Sequence, residues 1–464
     1  MNREEYTFQA LLVDDKGMIP IEAKYTEKFA VQIKFPGDQI REDGHEFQNL
    51  VFIIDNEQVD LGPCRFRTQP DGGGYAGYLF FVGDIYDLDS LLFHKKKVIL
   101  QGPFSNLPII LEHKYKIRQQ FKDYTASLTY DLSVYKNLFD SLDAEYAIEP
   151  EMVRKAVQQT IIATEGATFF EYFDEQLQEL ERLVADFSKE EHERHGFYFR
   201  KQVWNYIMLS PFMRRTNLKP RGYAGDSAMM RMVYLKEELG DSTFSKLLHR
   251  HHVERPAAEA VRNRRVLIAN TLIDKLRSSV LSPGERFKVL SVACGPAFEL
   301  QDLLTSPEDC EIYSFTLLDQ DEAALTEAAS LVGRLEQKLG ARIKVEYLQE
   351  SVRTMLSTRR LALKLGQFHF IYSMGLFDYL TPPVARAVLW NLYQLLQPEG
   401  EMIVGNFHVS NPSRVYMEYW GDWVLYYRTE EEFINLFKSG TEATKSVTFD
   451  ETGIQMFLQI KRLQ

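Results

Sequence analysis

The residues best placed to do chemistry lie in the C-terminal third of the chain. Val289-Leu290-Ser291-Val292 is an apolar run that ends in Ala293-Cys294-Gly295-Pro296-Ala297, just before a helical pattern begins. A turn of small residues at that point lets the backbone approach a ligand. The first turn of the following helix offers amide donors without internal partners. Twenty-four residues after Gly295, Asp319 closes the next apolar run. A carboxylate there can accept both hydroxyls of a ribose. Together, on consecutive strand–helix units, these residues point to a nucleoside site. A dinucleotide fingerprint wants a third glycine for close helix–strand packing. Phe298 and Glu299 stand in that region, so a single nucleoside with a charged tail fits better.

Upstream, Lys219-Pro-Arg-Gly-Tyr-Ala-Gly-Asp226 interrupts a helical region. Gly222 and Gly225 permit a turn, Arg221 can pair with a carboxylate, and Tyr223 is amphipathic. The string reads as a loop shaped for a ligand, or as a helix break with Asp226 as N-cap. Arg262, Arg264 and Arg265 follow on a helix. One of them could clamp a carboxylate bidentately, the competing reading for each being a surface salt bridge. His249, His251 and His252 cluster in HRHHVER, but the adjacent pair would point apart on a helix. We expect an exposed face there, and no metal site. Gly72 to Gly74 lack a neighbouring Lys-Ser/Thr pair and read as a hairpin loop rather than a phosphate cradle.

Three patterns position these residues. Over 1–118, short apolar or alternating runs (29–35, 50–56, 77–83, 97–102) separated by Gly, Pro and Asp turns predict a small β-barrel or sandwich. Over 119–280, apolar residues recur at three- and four-residue spacing, predicting a helical domain. Its many aromatics, among them Phe169, Phe173, Phe199 and Trp204, are expected to build the helical core, with a large ligand pocket as the sharper alternative. Over 281–464, strands at 287–294, 311–319, 342–349, 368–375 and 400–407 alternate with helices, which implies a parallel sheet covered on both faces. SVTFDET and IQMFLQIKR are joined only by a turn at Gly453, so the last strand should insert antiparallel.

Composition narrows the partners. In 464 residues, 45% are hydrophobic and 26% charged, enough apolar material for several cores and too much for global disorder. The net charge of −12 argues against duplex nucleic acid as a partner. No apolar run reaches the ~18 residues of a membrane span, and no signal peptide is read at the N-terminus. Three scattered cysteines form no CxxC pair, which suits a reducing cytoplasm.

The motif VLSVACGPA resembles the VLDVGCGPG loop of class I S-adenosylmethionine-dependent methyltransferases, and LLQPEGEMIV is similar to that fold's LKPGG turn. Ser291 stands for the usual acidic residue, and Ala293 and Ala297 for two glycines. KPRGYAGD, VRNRR, LLDQD, YSMGLFDYL and WVLYYRTEEE resemble a bacterial methyltransferase family labelled for biosynthesis of 3-hydroxypalmitic acid methyl ester, an extracellular signal, in which the N-terminal domain is often PilZ-like. The resemblance implies a Rossmann-like seven-stranded sheet and S-adenosylmethionine as cofactor. By the family's pattern, Ala293, Cys294 and Gly295 line the methionine and ribose, Asp319 holds the ribose, and Gln320 lies beside the adenine. Glu350, Ser351 and Val352 edge the adenine. Ser373, Met374 and Gly375 lie where sulfonium and acceptor meet.

The acceptor expected first is a small molecule, a fatty or other carboxylic acid, held by Arg221, Tyr223, Phe377 and Tyr379. Positioning candidates are Tyr223, Tyr379 and His408, with Asp378 as a further base candidate. The loop 219–226 is expected to close over the transfer site. Two rivals stay open: a protein methyltransferase whose barrel docks the target, and a regulatory module with a degenerate transferase. The cyclic-dinucleotide RxxxR and D/NxSxxG motifs are absent from 1–115, so the barrel is not expected to bind cyclic di-GMP.

Overall fold

The computed structural model describes residues 7–27, 30–35, 42–54, 57–68, 77–81, 107–356, 365–437 and 442–463. The chain divides into two compact units, Met1–Lys116 and Ile117–Gln464.

The first unit is an eight-stranded antiparallel sheet. Its strands are β1 (Thr7–Asp14), β2 (Gly17–Glu27), β3 (Ala30–Lys34), β4 (Glu46–Phe47), β5 (Asn49–Ile54), β6 (Glu57–Asp60), β7 (Cys64–Thr68) and β8 (Gly77–Phe81). Their order is β4-β7-β8-β3-β2-β1-β5-β6. Period-2 alternation makes one face the core: Cys64 and Phe66 point in while Arg65 and Arg67 point out. Only Gln48 separates β4, at one end of the sheet, from β5, near the other, so the sheet curls back on itself. A closed barrel is nevertheless not found, since among the described residues no ladder joins β4 to β6. The sequence reading passed over the β1–β2 hairpin, whose turn is Asp15-Lys16 with Lys16 N donating to Asp14 Oδ1 at 2.8 Å. The expected strand at 97–102 and the loop at 72–74 lie outside the described residues.

The second unit opens with helices α1 (Gln119–Glu145), α2 (Glu151–Ala163), α3 (Glu165–Val184), α4 (Lys189–Gln202), α5 (Pro211–Leu218), α6 (Ser227–Leu235), α7 (Thr243–Val253) and α8 (Pro256–Ser278). Most of their aromatics form a core as expected, with Phe121, Phe139, Phe169, Phe173, Phe199 and Phe244 fully buried, but Trp204 is half-buried and outside it. Tyr416, Tyr419 and Trp420, which come from beyond the parallel strands, complete this core.

The expectation for HRHHVER was wrong. His249, His251 and His252 are all buried, because α7 packs against α1, α2, α5 and α8 and leaves only Lys246 and Arg250 half-exposed on its outer side. Each ring finds a neighbour in the core. His249 Nε2 lies 2.8 Å from the Glu237 carbonyl, His251 bridges Tyr416 Oη and Asp174, and His252 packs on the Tyr416 ring.

The rest of the unit is a seven-stranded sheet: β9 (Phe287–Val292), β10 (Tyr313–Asp319), β11 (Lys344–Gln349), β12 (Phe368–Ser373), β13 (Leu396–Phe407), β14 (Ala443–Phe449) and β15 (Gln455–Arg462). Its order is β11-β10-β9-β12-β13-β15-β14. The strands from β9 to β13 pair in parallel, and β15 runs antiparallel to β13 and β14, as the terminal hairpin predicted. Helices α9 (Glu322–Leu339) and α10 (Pro382–Tyr393) cross between strands. The chain steps outward from β9 to β10 and β11, then returns to the other side of β9 at β12. That reversal leaves a crevice at the carboxyl ends of β9 and β12, where ligands bind in open α/β sheets.

Candidate active site

The loop after β9 is held in an uncommon backbone shape. Ala293, Gly295 and Ala297 all take left-handed φ values, of 53°, 55° and 52°. The two alanines that stand where the resembled motif has glycine therefore keep a glycine-like conformation at a cost of about 1–2 kcal/mol each. The turn is fastened to the next strand: Cys294 N donates to the Leu318 carbonyl at 3.1 Å and Gly295 N to Asp319 Oδ2 at 2.9 Å. Asp319 Oδ1 accepts from Asp321 N at 3.0 Å. Burial pushes the Asp319 carboxyl up from its ordinary range, and these amides pull it back toward the anion. A Cβ built on Gly295 would meet no atom within 4 Å, so this face of the loop looks into open space.

That space is a cavity of about 240 Å³ between the sheet and the helices that precede it. Ala293, Cys294, Gly295, Asp319, Gln320, Glu350, Met374 and Gly375 line it, joined by Tyr223 and Tyr379. Other candidates lie off its wall. Ser351 follows Glu350 away from the wall, and a one-turn helix begins at Val352. Ser373 is wholly buried at the end of β12, its hydroxyl without a hydrogen-bond partner. Phe377 belongs to the core under the sheet because its ring packs among α10 and strand side chains. His408 sits outside the cavity, its Nδ1 2.6 Å from Ser410 Oγ.

Arg221 is also off the wall. Its guanidinium reaches Asp321 at 2.8 Å and Glu327 at 3.3 Å, and it donates to Ser227 Oγ. It ties the 219–226 loop to the start of α9 instead of facing a ligand. The loop is fixed at its other points too. Lys219 Nζ pairs with Asp422 at 2.6 Å. Asp226, fully buried, caps α6 through Met229 N and holds Arg215 with both oxygens. The helix-break reading and the ligand-loop reading thus apply to different residues of one string. Asp226 anchors, while Tyr223, Gly225 and Ser227 form cavity wall. Tyr223 meets Tyr379 edge-to-face at 6.4 Å, and Trp423 Nε1 donates to Tyr379 Oη at 2.8 Å. Gly225 must be glycine, since a Cβ there would lie 2.5 Å from Tyr379 Oη and 2.8 Å from the Trp423 ring.

The three arginines separate clearly. Arg262 donates to the Val253 carbonyl at 2.7 Å, while Arg265 lines the cavity with its guanidinium bonded to Asp302. Arg264, only 6% exposed, lines the cavity. Its Nη1 donates to the Met374 carbonyl at 3.0 Å, and its Nε has no partner. Sequence reasoning missed Glu299, Tyr372, Tyr234 and Trp423 as wall residues. Glu299 was visible as an acid in an apolar stretch, but nothing local showed where it points. Asp378 also lines the cavity. Burial pushes its carboxyl up to about 6, against a hydrogen bond from Phe407 N at 2.7 Å and nearby Arg264 and Arg428. Among the described residues no group of three or more His, Cys, Asp or Glu side chains could hold a metal ion, and no helix is long and apolar enough to cross a membrane.

No family model matches the chain, and no curated protein does. Among solved structures, a possible exported protein from Bordetella parapertussis is similar at 16% identity and TM-score 0.42, over 64% of this chain and 97% of its own. Magnesium protoporphyrin IX methyltransferase from Synechocystis PCC 6803, with bound S-adenosylhomocysteine, is similar at 12% identity and TM-score 0.32, over 44% of this chain and 86% of its own. The N-methyltransferase NodS from Bradyrhizobium japonicum WM9 gives 15% identity and TM-score 0.30, over 44% and 88%. Likenesses this distant carry no argument about the chemistry of the present chain.

Proposed function

We propose that this chain is an S-adenosylmethionine-dependent methyltransferase acting on a small molecule. The observation that carries the reading is the pairing of Gly295 with Asp319. A buried carboxylate at the end of β10 is aimed by a loop amide, beside a glycine whose missing side chain faces the cavity at the sheet's switch point. The residues present suit the cofactor. Asp319 keeps lone pairs on both oxygens for the ribose hydroxyls. The unpartnered Nε of Arg264 and its buried setting suit a carboxylate. When bound, the cofactor supplies an electrophilic methyl group on a sulfonium.

The chain's own contribution is positioning. Asp319 holds the ribose, Gln320 and Glu350 flank the base, and Met374 and Gly375 border the transfer point. Tyr223, Tyr379 and Trp423 exclude water from above and present aromatic faces to positive charge. Met230, Val261, Phe407 and Leu425 give the remaining wall an apolar character. It suits the acyl part of a fatty or other carboxylic acid, the acceptor class we favour. Its ionised carboxylate needs no base, since its pKa is about 4–5. With Arg221 held by Asp321 and Glu327, that acid is oriented by packing and by the sulfonium charge. A hydroxyl or amine acceptor would instead call on Asp378 as base.

Isothermal titration with S-adenosylhomocysteine tests the reading. One site per chain is expected. Asp319→Ala should weaken it at least tenfold, since hydrogen bonds to a charged group contribute about 1.5–3 kcal/mol each. Absence of binding by the parent chain, or an unchanged affinity in the variant, would refute it.

A further inference from the structure

The hydroxyl of Tyr379 has a polarity that its neighbours impose. Tyr379 stands on the cavity wall with its ring edge-to-face against Tyr223. Trp423 Nε1 donates to Tyr379 Oη at 2.8 Å. An indole nitrogen carries a proton and offers no lone pair, so in any hydrogen bond it is the donor. The phenol oxygen is therefore the acceptor of that bond, and its own proton points elsewhere. The Gly225 amide addresses the same oxygen from the 219–226 loop. That approach is close, since a Cβ on Gly225 would lie 2.5 Å from Oη. Among the described residues none accepts the phenol proton. The phenol keeps that proton at neutral pH, because burial pushes it above its ordinary value of about 10.

The neighbouring wall is apolar, with Val261, Leu376, Leu380, Phe407 and Leu425. A donor fixed in such a setting favours a ligand that brings an oxygen and disfavours one that brings a second proton. Asp378, next in the chain, lines the same cavity and gives one oxygen to the Phe407 amide at 2.7 Å. Its carboxyl would draw an ammonium instead. Two adjacent residues thus favour opposite head groups. The difference between them is that two protein donors hold the Tyr379 oxygen in place.

We infer that Tyr379 is an obligate hydrogen-bond donor to one oxygen of the acceptor's carboxylate, and that Trp423 sets this polarity, so that the site selects oxygen acids over amines. This rests on the carboxylic-acid reading above and adds one directed bond to packing and charge. While Tyr379 holds one oxygen, the acceptor's other oxygen forms the bond to the methyl carbon. The sulfur–methyl bond breaks, its electron pair stays on sulfur, and no proton moves. In this role Trp423 is a positioning residue, acting through the phenol oxygen.

The test is calorimetry on the full chain saturated with S-adenosylhomocysteine, with octanoate and octylammonium as probes. The two share a chain and differ in whether the head group accepts or donates. The parent chain should prefer octanoate. Tyr379→Phe should weaken octanoate by about tenfold or more, the worth of one hydrogen bond to a charged group, and leave octylammonium within about twofold. Trp423→Phe keeps the phenol and an aromatic ring but frees the phenol oxygen to accept from a ligand. It should narrow the octanoate-to-octylammonium ratio, whereas a merely structural role would weaken both probes equally. A parent chain that prefers octylammonium, or an unchanged ratio in either variant, would overturn the assignment. A parent chain that binds S-adenosylhomocysteine but neither probe would overturn the carboxylic-acid reading with it and leave the cofactor reading standing. Failure to bind S-adenosylhomocysteine would overturn all three.

Discussion

Gly295→Ala separates ligand approach from folding. Gly295 has φ of 55°, so an alanine there pays for a left-handed backbone, about 1–2 kcal/mol. The loop already tolerates that penalty twice, at Ala293 and Ala297, with φ of 53° and 52°. No steric cost is added, because the new Cβ meets nothing within 4 Å. For a unit of about 350 residues, with an unfolding entropy of about 2.1 cal/mol/K per residue, the melting temperature should fall by roughly 1–3 °C. Binding should respond more strongly. The methyl group would occupy the surface that a nucleoside must touch, and overpacking of about 1–3 kcal/mol corresponds to a loss of roughly 5- to 150-fold. Gly340→Ala is the control. Gly340 closes α9 with φ of 67°, and its Cβ would also meet nothing within 4 Å, but it does not line the cavity. Scanning calorimetry and titration with S-adenosylhomocysteine on both variants should give similar small shifts in melting temperature and a loss of affinity in Gly295→Ala alone. Equal affinities in the two variants would show that the ligand does not approach this loop.

Two further outcomes are expected. In the 219–226 loop, Asp226→Ala should destabilise by about 2–4 kcal/mol, because it removes both a helix cap and the buried partner of Arg215. Tyr223→Ala should cost about 0.5–1.5 kcal/mol, the worth of its contact with Tyr379, while lowering S-adenosylhomocysteine affinity. Denaturant unfolding that ranks Tyr223→Ala as the more damaging change would contradict the division of roles. The second outcome concerns pH. Burial holds His249 at about 4 and lowers His251 and His252, so the unfolded chain binds protons that the fold refuses. The stability contributed by their neutral forms is present above the unfolded value of about 6.5 and is lost as pH falls toward 4. Melting temperature should drop across that window, and more shallowly in His249→Gln; an identical slope in the variant would remove His249 from the account.

The parts legible in the sequence were those encoded by neighbouring residues. The apolar runs of β9, β10 and β12, the Gly453 turn that reverses the last strand, and the aromatic periodicity of α1 and α3 all follow from local pattern. The small-residue turn at Gly295 and the carboxylate of Asp319 were visible because strand end and loop are contiguous there. The β1–β2 hairpin was missed although its Asp14-Asp15-Lys16-Gly17 turn was present and buried Ile19, Ile21 and Ala23 alternate with exposed Pro20 and Glu22, because a proline within a run weakens its reading as a strand.

Tertiary structure decided everything that depends on a partner distant in the chain. Arg221 lies a hundred residues before Asp321, and only folding shows that the two meet and that the arginine is thereby withheld from the cavity. Phe377 and Tyr379 are two residues apart in one motif, but the first turns into the core and the second onto the cavity wall. HRHHVER reads as a polar helix, yet α7 packs against four other helices, and Tyr416 and Asp174 satisfy His251. Trp423 lies forty-four residues after Tyr379, and only folding brings its indole to the phenol oxygen and fixes where that proton can go. Periodicity and turn chemistry are properties of adjacent residues, and sequence carries them directly. Burial and charge compensation are set by which surfaces meet, and that is fixed only when the whole chain has closed on itself.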